Sequence, residues 1–200
     1  MMAADKLHDI CSLIQAVSGL LLPLNYQFDG AEDDANLFAR IVRGELQQWR
    51  VWEDDQHVAF LTPFANTPGF TVLVPRKHLS SDIFSIEKEP FTALMLSAHR
   101  VAQVLKEAFG TSRCGMIFEG FQIDYAHVKL IPIHGADASN GSSTAEDAMV
   151  TIAPYQDIYP GYVSSLSGPL FRDFELLTRA ALDIRKMFPT DAARPPRLLV

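Results

Sequence analysis

The order of predicted elements along this 200-residue chain indicates an α+β fold with an antiparallel five-stranded sheet and one long helix. Two observations support this prediction: strand-like segments occur in two groups, and a single long helical pattern separates the groups. The elements, in order, are strands at about residues 48–53, 57–62 and 70–75, a helix at 90–109, and strands at 114–118 and 123–133.

The helices are predicted from apolar residues at three- and four-residue spacing. Pro90 opens the clearest helix, at a position where its missing N–H does no harm, and Gly110 caps the end. Its apolar stripe is Phe91, Leu94, Met95, Ala98, Val101, Ala102 and Leu105. Similar spacing predicts a helix within residues 7–17, a short helix that stops near Gly44, and a final helix within 171–188.

The chain is expected to consist of one α+β domain with an extension at each end. Residues 1–34 form an N-terminal helical extension and linker, and residues 35–135 form the domain. Residues 136–200 form a loop, an aromatic segment at 155–165 and a C-terminal helix that packs on the domain. The aromatic segment has two interpretations, simple packing against the sheet or a lid or wall beside a site at His127.

Composition and charge place the chain among soluble globular proteins, with 48% hydrophobic and 20% charged residues. The net charge of −7 provides no global basic field for nucleic acid or an anionic membrane, so any phosphate site must be local. The start of the chain lacks a basic region, and the longest uncharged apolar run, residues 10–28, is broken by polar residues. We therefore expect a cytoplasmic protein without nucleic-acid or membrane partners.

The segment from Ile123 to Ile131 alternates with a period of two residues, as a strand does. Tyr125, His127 and Lys129 are then expected on one face, with Asp124 and the apolar Ala126, Val128 and Leu130 on the other. A phenol, an imidazole and an ammonium in a row suit an anionic substrate, and the imidazole can act as a nucleophile.

The same segment resembles the signature strand of the histidine-triad (HIT) superfamily, which reads His-apolar-His-apolar-His-apolar-apolar and often ends in Ile-Pro. Without gaps, Gly120 and Ile123 match the glycine and valine of the family, and Ile131-Pro132 closes the pattern. Tyr125, His127 and Lys129 stand at the three histidine positions, so only the middle histidine is present. Residues 52–78, which end in Pro75-Arg76-Lys77-His78, resemble the N-terminal half of the family domain.

The resemblance implies a nucleotide phosphohydrolase or nucleotidyl transferase that acts at an α-phosphate. In the family the central histidine attacks the phosphorus and forms a nucleotidyl-imidazole, so His127 is the expected catalytic residue. Lys129 and Gln122 are the expected phosphate-binding residues, and Glu119 stands where relatives carry a polar side chain. An alternative is a nucleotide- or phosphate-binding protein without turnover, and a third hypothesis is an interaction module that uses the terminal helices.

Three positions depart from the family pattern. Tyr125 replaces the first histidine, Thr62 replaces an acidic residue that binds ribose hydroxyls, and Phe70 replaces a histidine that follows the glycine. The hydroxyl of Tyr125 is a candidate for orienting His127. The pattern is similar to a HIT-like bacterial branch with His-Ala-His-Ala-Lys-Leu and a Pro-Gly-Tyr-Val/Ile-Ser-Ser segment, which residues 160–165 match.

The sequence also supports predictions about metal binding, cofactors and oligomeric state. Cys11 and Cys114 are too few and too far apart for a zinc site, and no Cys-x-x-Cys pair precedes the first helix of the domain. We therefore predict no metal and no cofactor. The family commonly pairs two sheets into one, so the resemblance implies a homodimer that binds a small nucleotide, phosphoanhydride or phosphoramidate.

Overall fold

The computed structural model describes residues 24–120, 122–135, 154–158, 164 and 166–188. Its helices and strands confirm the predicted α+β fold class. They are α1 (Leu37–Val42), β1 (Trp49–Glu53), β2 (His57–Leu61), β3 (Thr71–Pro75), a 3-10 turn (Ile83–Ser85), α2 (Lys88–Phe109), β4 (Cys114–Ile117), β5 (Val128–Pro132) and α3 (Phe174–Met187). The predicted helix within residues 7–17, the loop at 136–148 and most of the aromatic segment lie outside the described residues.

The five strands form one sheet in the order β1-β2-β3-β5-β4, and every pairing is antiparallel. Strand β5 therefore lies inside the sheet, between β3 and β4. Lys129 of β5 is paired with Val72 on one side and with Ile117 on the other. This register places Lys129, the polar residue of β5, near the middle of the sheet.

The last strand is shorter than predicted, because β5 begins at Val128 and not at residue 123. The preceding backbone N–H groups bind outside the sheet: Tyr125 donates to the Ile123 carbonyl at 2.8 Å, and Ala126 donates to the Leu79 carbonyl at 2.9 Å. Gly120 opens this turn with a φ of +65°, and a Cβ there would stand 2.6 Å from the Ser81 carbonyl oxygen. Residues 123–127 therefore keep the alternating pattern of a strand although they do not belong to one.

The helix bounds also differ slightly from the predicted ones. Helix α2 begins at Lys88, two residues before Pro90. Pro90 is compatible with this position because the N–H groups of the first helical turn have no partner within the helix. Gly110 ends α2 in the left-handed conformation, as predicted. Helix α3 begins at Phe174, where the Asp173 carboxylate accepts a hydrogen bond from the Leu176 N–H at 2.9 Å.

The two faces of the sheet have different covers. The helix-covered face packs against α2 and α3, and its buried residues include Trp49, Val51, Leu61, Leu73, Val128, Leu130, Leu94, Ala98, Val101, Leu105, Ala181 and Ile184. The site face packs against the short α1, and its buried residues include Phe38, Val42, Phe60, Phe70, Val72, Val74, Tyr125 and Ile131. Since α1 spans only 6 residues, it leaves part of the site face uncovered.

A buried ionic cluster fastens the C-terminal helix to the sheet. The Glu53 carboxylate accepts hydrogen bonds from Arg50, Arg76 and Arg185 at 2.7, 2.8 and 2.9 Å. Burial alone would raise the pKa of Glu53, but the hydrogen bond from Arg185 and the charge of Arg50 hold it below its ordinary value. The described helices include none with the length and apolar character needed to cross a bilayer.

Candidate functional site

A cavity of about 230 Å³ opens on the site face, between α1, the ends of β1 to β3 and the turn that precedes β5. Six residues that the sequence singled out line this cavity: Thr62, Phe70, Glu119, Gln122, His127 and Lys129. The seventh, Tyr125, is not among the described lining residues. The fold therefore brings together residues that are up to 67 positions apart in the chain, from Thr62 to Lys129.

His127 is buried at the cavity wall, with only 6% of its surface exposed. Its Nδ1 lies 2.7 Å from the Tyr125 carbonyl oxygen, which can only accept a hydrogen bond. Nδ1 must therefore carry the proton, and the lone pair is left on Nε2. The Phe38 ring packs against the imidazole with a centroid distance of 5.1 Å, which fixes the orientation of the ring.

The imidazole of His127 is held in its neutral form. Burial lowers the pKa of His127, and the positive charge of Lys129 adds to this effect. The hydrogen bond to the Tyr125 carbonyl acts in the opposite direction but does not outweigh burial. A neutral imidazole with a lone pair on Nε2 is the form that a nucleophile requires.

Tyr125 has a structural position and does not share the cavity with His127. Its hydroxyl donates to the Pro75 carbonyl oxygen at 2.7 Å, and its side chain is fully buried. Burial raises the pKa of the Tyr125 phenol. The Tyr125 hydroxyl, which the sequence left as a candidate for orienting His127, is bound to Pro75, and the backbone carbonyl of Tyr125 contacts His127 Nδ1 instead.

The turn before His127 is fastened by residues that the sequence analysis did not assign to the site. His78 bridges the Asp34 carboxylate and the Asp124 carbonyl oxygen, each at 2.6 Å, and its ring stacks on Tyr125 at 4.6 Å. Asn36 donates to the same Asp124 carbonyl at 2.9 Å. These contacts hold the peptide that precedes Tyr125, and so they position the carbonyl that orients His127.

The side chain of Asp124 takes part in the same fastening. Its carboxylate accepts hydrogen bonds from the N–H and the hydroxyl of Ser81, at 3.3 and 2.9 Å. The expectation that Asp124 follows strand alternation is wrong, because residues 122–127 form a turn. Asn36 could have been found from the sequence, since an asparagine directly before an apolar helical pattern is a typical N-cap.

Lys129 and Glu119 form an ion pair at the cavity wall. Their side chains are 12% and 18% exposed, respectively. The sheet register explains the pairing: Lys129 stands opposite Ile117, and Glu119 follows Ile117 by two residues. The ammonium that the sequence predicted as a phosphate ligand is therefore already bound to a carboxylate of the same chain.

Thr62, Phe70 and Gln122 occupy different parts of the cavity. The Thr62 hydroxyl oxygen accepts a hydrogen bond from the Phe64 N–H at 3.1 Å, and Phe70 is a buried member of the apolar wall. Gln122 is exposed near the mouth. The remaining wall includes Leu37, Phe38 and Ile41 of α1, which the sequence marked only as an apolar helical stripe.

A C-terminal segment passes beside the cavity. The Asn66 side-chain amide donates to the carbonyl oxygens of Ser164 and Leu166, both at 3.0 Å, and the Gly168 N–H donates to the Phe64 carbonyl at 2.8 Å. This places Ser167 at the cavity wall. Within the described ranges, no group of three or more His, Cys, Asp or Glu residues is arranged to hold a metal ion.

The sequence was also compared with protein families and with individual proteins. Residues 43–139 match the family model of the HIT domain, which confirms the resemblance drawn from the sequence motifs. An uncharacterized 13.1 kDa HIT-like protein of Mesomycoplasma hyorhinis is 29% identical over 103 residues, which are 49% of this chain and 92% of that protein.

Two solved structures share the fold. A HIT-like protein involved in cell-cycle regulation from Bartonella henselae has a TM-score of 0.54 at 22% identity, covering 78% of this chain and 98% of that one. A hypothetical histidine triad nucleotide-binding protein from Sulfolobus tokodaii has a TM-score of 0.53 at 19% identity, covering 74% of this chain and 91% of that one.

Proposed function

Because residues 43–139 form a HIT domain of the histidine-triad superfamily, we propose that this protein is a nucleotide phosphohydrolase or nucleotidyl transferase. Membership of the superfamily supports nucleotide-binding hydrolase or transferase activity in general. The proposal goes further and assigns the attack on an α-phosphorus to Nε2 of His127. The observation that supports it best is a neutral imidazole, oriented by a backbone carbonyl, at the wall of a cavity.

The proposed chemistry has two steps. In the first, the Nε2 lone pair of His127 attacks the phosphorus, a P–N bond forms, and the bond from phosphorus to the leaving oxygen or nitrogen breaks as that atom takes up a proton. In the second, water attacks the phosphorus, the P–N bond breaks, and the water gives up a proton. A second acceptor in place of water makes the reaction a transfer.

The Tyr125 carbonyl oxygen serves both steps. When Nε2 is bonded to phosphorus and Nδ1 keeps its proton, the ring carries a positive charge. The carbonyl oxygen, 2.7 Å from Nδ1, accepts a hydrogen bond that becomes stronger as this charge develops. Gln122 and Lys129 are proposed to donate to the phosphate oxygens, since both line the cavity with His127.

The test is a search for the covalent intermediate. The protein is incubated with adenosine and guanosine phosphoramidates and with dinucleoside polyphosphates, and its intact mass is measured before and after mild acid treatment. We expect a mass increase that equals one nucleotidyl group and that acid removes. Turnover of none of these compounds, with no adduct, would contradict the proposal.

A binding protein without turnover is the second candidate. Two observations favour it: Tyr125, at a histidine position of the family, is buried away from the cavity, and Lys129 is held by Glu119. This candidate predicts that nucleotides bind while no adduct and no product form. Calorimetric binding measured beside the mass experiment separates the two functions.

We also propose that the protein forms a homodimer. Strand β4 lies at one edge of the described sheet, and an edge strand is open to pairing with a second copy. Light scattering at micromolar concentration tests this, and a mass near the 22.2 kDa of one chain would refute it.

A further inference from the structure

We propose that the Glu119–Lys129 ion pair makes the cavity select phosphate groups that carry a single negative charge. The inference rests on the proposed function, because it takes the cavity as the site where a phosphate binds. It makes Glu119 a specificity-determining residue, whereas the sequence marked it only as a replacement for a polar side chain.

The first step is the charge of the cavity wall. Among the described residues that line it, Glu119 and Lys129 are the two with a formal charge, and their charges are opposite. His127 adds none at neutral pH, because burial lowers its pKa. The described wall therefore has a net charge of about zero, even though it contains a lysine.

The second step is the position of the lysine. The Lys129 ammonium contacts the Glu119 carboxylate directly, and both side chains are largely buried at the wall. A phosphate oxygen that approaches Lys129 therefore approaches Glu119 as well. The attraction of one is opposed by the repulsion of the other, so the pair provides little net attraction for an anion.

The third step is the cost of a second negative charge. A phosphate monoester carries a charge between −1.5 and −2 at neutral pH, whereas a diester or amidate of the same alcohol carries −1. A single charge can be met by hydrogen bonds from neutral donors such as Gln122 and by a share of Lys129. The second charge meets no further cation among the described lining residues, and an uncompensated charge at a largely apolar wall is costly.

The experiment compares two probes that differ by one charge at the same phosphorus, adenosine 5′-monophosphate and its methyl ester. Binding to the full chain is measured by calorimetry at pH 8 and low salt, and the integrity of each probe is checked afterwards. The test variant is Glu119→Gln, which keeps the shape of the side chain and removes its charge. The control is Glu175→Gln, which breaks an exposed Glu175–Arg179 pair on α3, and neither residue of that pair is among the described lining residues of the cavity.

Wild type is expected to bind the methyl ester at least as tightly as the monophosphate. Glu119→Gln should tighten binding of the monophosphate by on the order of tenfold and of the ester by roughly threefold, because the repulsion between the Glu119 carboxylate and the phosphate is removed and is larger for the doubly charged probe. The ratio of the two affinities therefore shifts towards the monophosphate by roughly threefold. Glu175→Gln should bind both as wild type does.

Three results would overturn the inference: tighter binding of the monophosphate than of the ester by wild type, an unchanged ratio in Glu119→Gln, or failure of both probes to bind. The wild-type ratio needs no variant, so a folding defect in Glu119→Gln leaves the inference testable. An adduct on His127 with an unchanged ratio would refute this inference alone. A ratio that shifts as expected without any adduct would refute the proposed chemistry alone.

Discussion

The two faces of β5 show how similar burial can serve different purposes. Val128 and Leu130 are 0% and 1% exposed on the helix-covered face, and His127, directly before the strand, is 6% exposed on the site face. The first two belong to the apolar core beneath α2, whereas His127 faces a cavity. Burial alone therefore does not distinguish a structural residue from a candidate nucleophile. The distinction comes from the surroundings of the side chain, which are apolar side chains in one case and a cavity in the other.

The ion pairs of two carboxylates, Glu53 and Glu119, show the same contrast between a structural position and a position at the cavity. Glu53 accepts hydrogen bonds from three guanidinium groups, and its side chain is only 6% exposed, so its partners are fixed and it links β1 to α3. Glu119 is paired with an ammonium, and both groups border a cavity. A ligand in the cavity can compete for the second pair, whereas Glu53 is not among the described lining residues, so the second pair is the one able to influence specificity.

Replacement of His127 by alanine should have the largest effect on function and a small one on the fold. If the site face carries the chemistry, His127→Ala should lower turnover by at least about a thousandfold, because the described lining residues include no second imidazole. His99→Ala, on the exposed face of α2, is the matched control and should leave turnover unchanged. Product formation and adduct mass are the measurements, and undiminished turnover in His127→Ala would remove His127 from the mechanism.

On the helix-covered face the opposite pattern is expected. Leu94 is fully buried on α2, so Leu94→Ala should cost about 2–5 kcal/mol in the free energy of unfolding, through lost burial and the cavity left behind. Leu96 lies on the same helix with 66% of its surface exposed, and Leu96→Ala should change stability by less than about 0.5 kcal/mol. Urea unfolding measures both. Equal losses in the two variants would mean that α2 does not seal this face as described.

The sequence predicted most of the sheet and the helices because their periodic patterns come from burial on one side. It failed at the start of β5, where residues 123–127 keep the alternation of a strand. The reason is long-range: the Ala126 N–H binds the Leu79 carbonyl, and Gly120 packs against the Ser81 carbonyl. Such partners, 39 and 47 positions away in the chain, leave no periodic signal in the segment itself.

The residues of the candidate site line one cavity, but the sequence did not predict the partners of their side chains. The motif placed His127, Lys129 and Gln122 at one cavity, because residue spacing on a short segment carries over to space. It did not reveal that Lys129 is held by Glu119 or that Tyr125 binds Pro75, since these contacts depend on strand register and on a turn. The wall formed by Phe38 was also missed, because an apolar helix residue looks the same whether it lines a core or a cavity.

Tyr125 is an exception in the comparison of the two faces, since it lies on the site face but is fully buried and does not line the described cavity wall. Tyr125→Phe should lower the free energy of unfolding by about 1–2 kcal/mol, because the buried Pro75 carbonyl loses its donor. The rate of adduct formation should change less than about threefold, since the Tyr125 backbone carbonyl remains in place. Tyr155→Phe, at a side chain that is 40% exposed, is the control for stability. A large loss of rate without a loss of stability would give the hydroxyl a chemical role.

The pH dependence gives the smallest effect and tests why His127 differs from an exposed histidine. Burial lowers its pKa below the ordinary 6.5, so the neutral nucleophile persists at mildly acidic pH. The rate of adduct formation should therefore fall only below pH 6.5, with a single midpoint on the acid side.

Linkage predicts a matching change in stability for the same residue. As pH falls through 6.5, the unfolded chain takes up the proton at His127 more readily than the folded one, so wild type should lose stability. That part of the loss should be absent in His127→Ala, and urea unfolding of both proteins between pH 5 and 8 measures the difference. A rate midpoint at or above 6.5, together with identical pH profiles of stability for the two proteins, would show that His127 titrates as an exposed imidazole. In that case the site face would not exclude water from the His127 side chain.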